Sequence, residues 1–285
     1  MKRRLASAAI FAAIATFVFG AESAPPSGSD LRASIANPAS TATPGGTVGA
    51  SGACPADMVL VDGDYCNGTV EHACAKWVDG QQSRDRCAEY KPTSRCFGRM
   101  VHQRFCVDRY EYPNKAGAKP TTGVSWEEAR DQCKAGGKRL CKDQEWTLAC
   151  EGPERLPYPS GYNRDASTCN FDRPFIQPNN DRYADPTTRD KEFSRLDQRV
   201  TSGERSSCVS AYGVHDMTGN VDEWVVNDGG KINDKPYVSG LKGGWWGPVR
   251  NRCRPMTIDH NQWHIGWAIG FRCCEDAGST GKPTP

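Results

Sequence analysis

The chain has almost no excess charge of either sign. Thirty-six basic residues stand against 34 acidic ones, a net of +2. That balance gives no electrostatic reason to expect nucleic acid or an anionic membrane surface as a partner. There is no Cys-x-x-Cys pair, so the usual zinc, iron-sulfur and dithiol redox signatures are missing. There is no Gly-x-Ser-x-Gly, and Ser207, His215 and the scattered aspartates form no recognisable hydrolase pattern. After the N-terminal region no second long apolar run follows, which leaves no candidate for a membrane-spanning helix. No internal repeat or heptad pattern is visible.

Cysteine, by contrast, is abundant: 14 in 285 residues, even in number and dispersed. That usage predicts disulfides in an oxidising compartment. The N-terminus agrees. Met1-Lys2-Arg3-Arg4 is a basic start, Leu5 to Phe19 is largely apolar, and small residues around Gly20 to Ala24 suit cleavage. Residues 1–24 therefore read as an export signal, and the mature chain is expected in the periplasm or outside the cell. Residues 25–53 are rich in Ser, Pro, Gly, Ala and Thr, the composition of a tether. A domain over 54–276 follows, then a polar tail over 277–285.

Within the domain, Met58-Val59-Leu60-Val61 begins a short strand. Six cysteines between Cys54 and Cys106 carry little periodic hydrophobicity between them, which predicts a loop-rich, disulfide-stapled segment packed on the main domain. Phe105 to Tyr112 reads as a strand. Ser125 and Glu128 form a capping box for a helix whose Trp126, Ala129 and Cys133 share one face, and Gly136-Gly137 ends it. A second helix covers Asp143 to Cys150. Residues 157–200 read mostly as loop, long enough to need tying down, with Cys169 as one anchor. Short aromatic-rich strands follow near the C-terminus. Short helices with scattered strands and long loops predict an irregular α+β class.

Gly213 to Trp224 concentrates the most chemistry: Gly-Val-His-Asp-Met-Thr-Gly-Asn-Val-Asp-Glu-Trp. Asp216, Asn220, Asp222 and Glu223 offer hard oxygens around Gly219, which frees the backbone to turn. Such a cluster suits calcium, and it equally suits a polar turn between two strands. Asp216 to Trp224 resembles the Asp-Met-x-Gly-Asn-Val-Trp-Glu-Trp signature of the formylglycine-generating enzyme, or sulfatase-modifying factor, family. Further blocks resemble that family in the same order. They are Val124-Ser125-Trp126 through Cys133, Gly137-Lys138-Arg139-Leu140 with Glu145-Trp146, and Lys242-Gly243-Gly244 with Gly270-Phe271-Arg272. Met58 to Gly63 fits the family's start. The resemblance spans about residues 55–275 and implies a fold related to C-type lectins.

It also implies site residues. A structural calcium would be held by Asp216, Gly219, Val221 and Glu223, the glycine and valine through their carbonyls. A second calcium site would begin at Asn170 and Phe171, with Asp181 and Asp185 as further candidates. Two structural bridges would be Cys133–Cys273 and Cys150–Cys253. The family's oxidases use a copper-binding cysteine pair after Gly-Gly-Ser, and soft thiolates suit Cu(I). Here Trp245 takes the serine position. Counted forward from Gly244 the pair falls on Pro248 and Cys253; counted back from Gly270-Phe271-Arg272-Cys273, Cys253 falls on a structural cysteine and the catalytic loop is missing. The copper pair is incomplete on either count, so copper is not expected and no catalytic residue is assigned. Cys253 would be the catalytic thiol only in an oxidase.

Two other features stand out. His260 and His264 have the spacing of a one-face helical pair without the Glu of a His-Glu-x-x-His site. Trp245, Trp246, Trp263 and Trp267 pack together as core or line a groove for sugar or peptide. The expectation is an exported, calcium-stabilised domain without the oxidase centre that binds a protein, peptide or glycan. The alternative is a formylglycine-generating oxidase of sulfatase cysteine, or a related metal-dependent oxidoreductase.

Overall fold

The computed structural model describes residues 52–78, 86–229 and 237–278. The expected export signal, the tether up to residue 51 and the tail from residue 279 lie outside them. The described chain is α+β, as the sequence predicts. Its first strands are β1 (Met58–Cys66), β2 (Thr69–Trp77), β3 (Cys87–Phe97) and β4 (Met100–Asp108). β1 and β4 pair antiparallel over their full length, Met58 opposite Asp108 and Cys66 opposite Met100. The β2–β3 hairpin stands between them in sequence as a separate two-stranded sheet.

The cysteine-rich segment is thus built of long strands rather than loops. Periodicity could not show this, because β2 has no fully buried residue and β3 buries only Cys87 and Tyr90. Bridges hold it instead: Cys54–Cys106, Cys66–Cys96 and Cys74–Cys87. The hairpin docks on the main domain through Tyr90 and Tyr158, and through a 2.7 Å hydrogen bond between the His72 ring and the Arg155 carbonyl.

Helix α1 (Trp126–Ala135) starts at the capping box of Ser125 and Glu128 and ends at Gly136. Helix α2 (Asp143–Glu151) starts where Glu145 accepts from the Lys142 N–H and pairs with Arg139. Between them lies the two-residue strand β5 (Arg139–Leu140). The strand read at 105–112 stops at Asp108. Beyond it the Tyr110 N–H turns to Asn114 Oδ1, and Asn114 is left-handed with φ +58°. Residues 157–200 are less loop-like than their composition suggests. They contain α3 (Asn180–Ala184) and α4 (Arg189–Leu196), the latter burying Glu192 and Leu196, and the Cys169–Cys208 bridge anchors them.

The remaining strands are β6 (Asp222–Val226), β7 (Ser239–Lys242), β8 (Met256–Thr257), β9 (Ile269–Phe271) and β10 (Cys273–Asp276). One four-stranded sheet has the order β1-β4-β10-β5 and a second has β8-β7-β6-β9, in which β6 and β9 run parallel. Trp146, Leu148 and Ala149 of α2 share a core with Val61 and Phe105 of the first sheet and Val225 of the second. Trp126 and Ala129 of α1 pack with Leu140, Trp224, Leu241 and Phe271. Cys133 bonds Cys273, Cys150 bonds Cys253 and Cys141 bonds Cys274, so both helices and the link between them are tied to the C-terminal segment. Among the described residues no helix is long and apolar enough to cross a membrane.

The Cys133–Cys273 bridge closes a separation of 140 residues, and in the chain-entropy view a loop of that length is worth roughly 5 kcal/mol. Replacing both cysteines by alanine should lower the urea midpoint accordingly. An unchanged midpoint would show that the bridge does not restrict the unfolded chain.

Candidate functional site

The stretch 213–224 turns through left-handed backbone at Gly213 (φ +85°), Asp216 (φ +58°), Gly219 (φ +82°) and Asn220 (φ +56°). Gly219 has a second reason to lack a side chain. A Cβ there would stand 2.5 Å from the Asn170 carbonyl oxygen. Asn220 makes use of its turn conformation. Its N–H donates to the Asn170 carbonyl at 2.8 Å and its Oδ1 accepts from Asn170 Nδ2 at 3.0 Å and from the Val200 N–H at 3.0 Å. Its Nδ2 donates to Glu111 Oε1 at 3.0 Å. The turn then delivers Glu223 inward on β6, where Arg272 holds both carboxylate oxygens at 2.7 and 2.6 Å and Trp146 Nε1 donates to one of them at 2.7 Å.

Three buried carboxylates, Glu111, Asp216 and Glu223, therefore share a neighbourhood with one guanidinium, Arg272. Burial and this excess of negative charge push Glu111 well above the usual carboxylate range. Asp216 is pushed up to about 6, chiefly by burial, with the Gly203 N–H and Arg272 opposing the shift. Asp216 Oδ2 accepts from the Gly203 N–H at 2.7 Å, while Oδ1 is buried without a hydrogen-bond partner.

These positions bear directly on the expected calcium ligands. Asp216 offers an unpartnered oxygen amid surplus negative charge, which fits a cation. Glu223 already accepts from Arg272 and Trp146, which leaves it about one further lone-pair site. At the second expected site, Asn170 Oδ1 accepts from Arg173 Nε at 2.8 Å, and the Phe171 ring lies buried under the Arg164 guanidinium. Asp181 and Asp185 are exposed at α3, with Asp185 turned to the Thr187 N–H and hydroxyl. Among the described residues no group of three or more His, Cys, Asp or Glu side chains stands in a metal-binding arrangement.

A cavity of about 530 Å³ opens on the second sheet. Each strand of that sheet contributes to it: Asp222 from β6, Leu241 from β7, Thr257 from β8 and Ile269 from β9. Trp245, Trp267 and Tyr183 form an aromatic wall packed edge to face, Trp245–Trp267 at 6.0 Å and Tyr183–Trp267 at 5.8 Å. Tyr183 is set by its hydroxyl, which donates to the Ile265 carbonyl. Gly247 leaves room for the Trp245 ring; a Cβ there would meet it at 2.3 Å. His260 and His264 also line the cavity, stacked at 3.9 Å with only 8° between their planes. A metal lies in the plane of each imidazole that binds it, so rings stacked in this way do not present one shared ion. Of the four tryptophans, Trp246 is core, Trp245 and Trp267 face the cavity, and Trp263 is 67% exposed.

The sulfatase-modifying factor enzyme 1-like domain matches residues 69–277. The chain belongs to that family. Inactive C-alpha-formylglycine-generating enzyme 2 of Bos taurus is 28% identical over 172 residues, covering 56% of this chain and 51% of the relative. Serine/threonine-protein kinase pkn1 of Chlamydia caviae is 32% identical over 172 residues, covering 55% of this chain but 24% of the kinase. The chain thus matches about half the length of the first and a quarter of the second. The solved structure of CarF superposes with a TM-score of 0.48 at 17% identity, covering 78% of this chain and 98% of that one. PvdO from Pseudomonas aeruginosa gives a TM-score of 0.47 at 16% identity, covering 77% of this chain and 94% of that one.

In this sulfatase-modifying-factor domain, Pro248 lines the cavity while Cys253 is buried in the core and bonded to Cys150. The two positions of the forward count are therefore not brought together as a metal pair. All 14 cysteines are bridged. Sequence reading missed Glu111 and Arg272 as partners of the signature turn. Arg272 had a usable signal, because an arginine in an otherwise apolar strand run needs a buried carboxylate.

The raised Asp216 predicts a pH effect with a definite sign. Between its ordinary value of 3.8 and about 6, the folded protein keeps a proton the unfolded chain has lost. The stability this group contributes is complete below that window and is lost as pH rises through it. In chelator, Asp216→Asn should gain melting temperature relative to the parent as pH rises from 4 to 6. A difference that stays constant with pH would count against the shift.

Proposed function

We propose that this domain works outside the cytoplasm as a binding module. Its ligand, a protein, peptide or glycan, enters the cavity on the second sheet, and the formylglycine-generating oxidation is not its activity. The observation that carries this reading is the Cys150–Cys253 bridge. It removes the one thiol that could have stood in for the copper-binding pair, and Pro248 occupies the remaining position at the cavity. Copper(I) bound by thiolates requires both sulfurs free. The bovine relative, which is called inactive, supports the same reading. Export is supported by the basic and apolar N-terminal residues together with seven disulfides.

A thiol count on the folded, secreted protein with mass mapping of its bridges, run beside an oxygen-uptake assay on a cysteine-containing sulfatase peptide, tests this. The expected result is no free thiol, Cys253 bonded to Cys150, and no oxygen uptake. Turnover of the peptide would establish the oxidase reading instead.

The same reading includes a structural calcium at Asp216 and Glu223, with the Gly219 and Val221 carbonyls as the further ligands expected from the family. Its support is the unpartnered Asp216 Oδ1 and the surplus of carboxylates around it. Calcium should raise the melting temperature of the parent protein and leave that of Asp216→Ala unchanged. An equal response in both would place any bound calcium elsewhere.

A further inference from the structure

Resting on the binding reading above, we infer that the cavity on the second sheet takes a neutral oligosaccharide. Its lining sets one carboxylate against one guanidinium, Asp222 and Arg250, with Arg250 Nη2 3.2 Å from Asp222 Oδ1. Net charge there is zero, so an ionic ligand would meet a like charge about as close as the opposite one. A ligand that donates and accepts without carrying charge meets no such conflict. Asp222 accepts from Arg250 and from the Gly244 N–H, and an ionised carboxylate has about four lone-pair sites, so it has capacity to spare. The paired Arg250 and Asp222 side chains keep 18% and 9% of their surface exposed. A donor and an acceptor side by side are what neighbouring sugar hydroxyls complement, each hydroxyl being both donor and acceptor.

The rest of the lining has the same dual character. Thr257 brings a hydroxyl, and a neutral imidazole at His264 offers one donor and one acceptor nitrogen. Burial and the neighbouring His260 both lower the His264 pKa, which favours its neutral form. The aromatic wall lines the same cavity. Indole offers a broad apolar face with a polar edge, and the CH face of a pyranose is a flat apolar surface of matching kind. The volume of about 530 Å³ lies inside the range of about 300–1,000 Å³ typical of small-molecule sites.

Aromatic surface continues past the cavity. Phe175 is 53% exposed and packs on Trp245, and the exposed Trp263 adjoins His264 in the chain. Phe175, an exposed ring packed on Trp245 of the wall, extends the stacking surface beyond one sugar unit. That extension points to a chain of sugars rather than a monosaccharide.

The test is calorimetric titration of the full chain with neutral tetrasaccharides of the cello, chito and malto series. An oligogalacturonate of the same length and a cysteine-containing peptide pool run in parallel, with oxygen uptake followed for the peptides. The expected result is saturable binding of at least one neutral series and none of the oligogalacturonate. Trp267→Ala should weaken that binding by about tenfold, the loss of one stacked ring of about 1.4 kcal/mol. If that variant does not fold, Phe175→Ala, at an exposed position packed on Trp245, should still weaken binding of the tetrasaccharide several-fold. Silence from every neutral series, preference for the oligogalacturonate, or binding indifferent to the variants that fold would overturn the inference. Peptide binding without sugar binding would overturn it while leaving the binding reading intact. Oxygen uptake with the peptides would bring down both.

Discussion

The Glu223–Arg272 pair is the interaction on which the two sheets depend. Arg272 is the single residue between β9 of the second sheet and β10 of the first. Its guanidinium closes on Glu223 of β6 and donates to the carbonyls of Asp108, at the end of β4, and of His215. Trp146 of α2 completes Glu223 from the third side. Both charges are withdrawn from water. A pair so placed is costly to assemble and costlier to break, since losing one partner strands the other at about 3–5 kcal/mol. The left-handed backbone from Gly213 to Asn220 becomes intelligible in these terms. It bends the chain so that Glu223 enters the interior at the point where Arg272 crosses.

Around that centre the molecule divides its labour. The side built from β1, β4, β5 and β10 is locked, with Cys133, Cys141 and Cys150 of the middle segment bonded to cysteines near the C-terminus. The Glu151–Arg254 pair adds a second tie, because Arg254 also donates to the Cys66 and Gly68 carbonyls at the entry to the β2–β3 hairpin. The opposite side of the second sheet carries half-buried aromatics and imidazoles whose polar atoms are only partly engaged. Recognition groups commonly occupy such surfaces, held by a rigid scaffold beneath. Asp222 and Glu223 illustrate the division within two residues: successive strand side chains point to opposite faces, so one lines the cavity and the other anchors the core.

Much of the fold was legible. The capping box at Ser125, the helix starting at Asp143 and the α+β class follow from local chemistry that acts over a few residues. The hairpin of β2 and β3 was not legible, since its strands bury almost nothing and are held by bridges rather than by an apolar face. Helix α4 was hidden for a related reason. Its Arg-Asp-Lys-Glu-Phe-Ser-Arg-Leu is nearly all polar, and it is fixed by tertiary burial of Glu192 and Leu196.

The sequence alone determined that the chain would be cross-linked, where its two main helices begin, and that residues 213–224 would form an oxygen-rich turn. Those outcomes depend on composition, capping and glycine conformation, which are properties of neighbours in the chain. Only the tertiary structure decided which oxygens of that turn are free. Glu223 meets an arginine 49 positions away, and Asp216 Oδ1 is left without a partner. It also decided that His260 and His264 stack in parallel, and that Trp245 and Trp267 line a cavity while Trp246 is core. A side chain's partners in a folded protein are set by long-range packing, and residue type constrains what a group can bind without specifying what it meets.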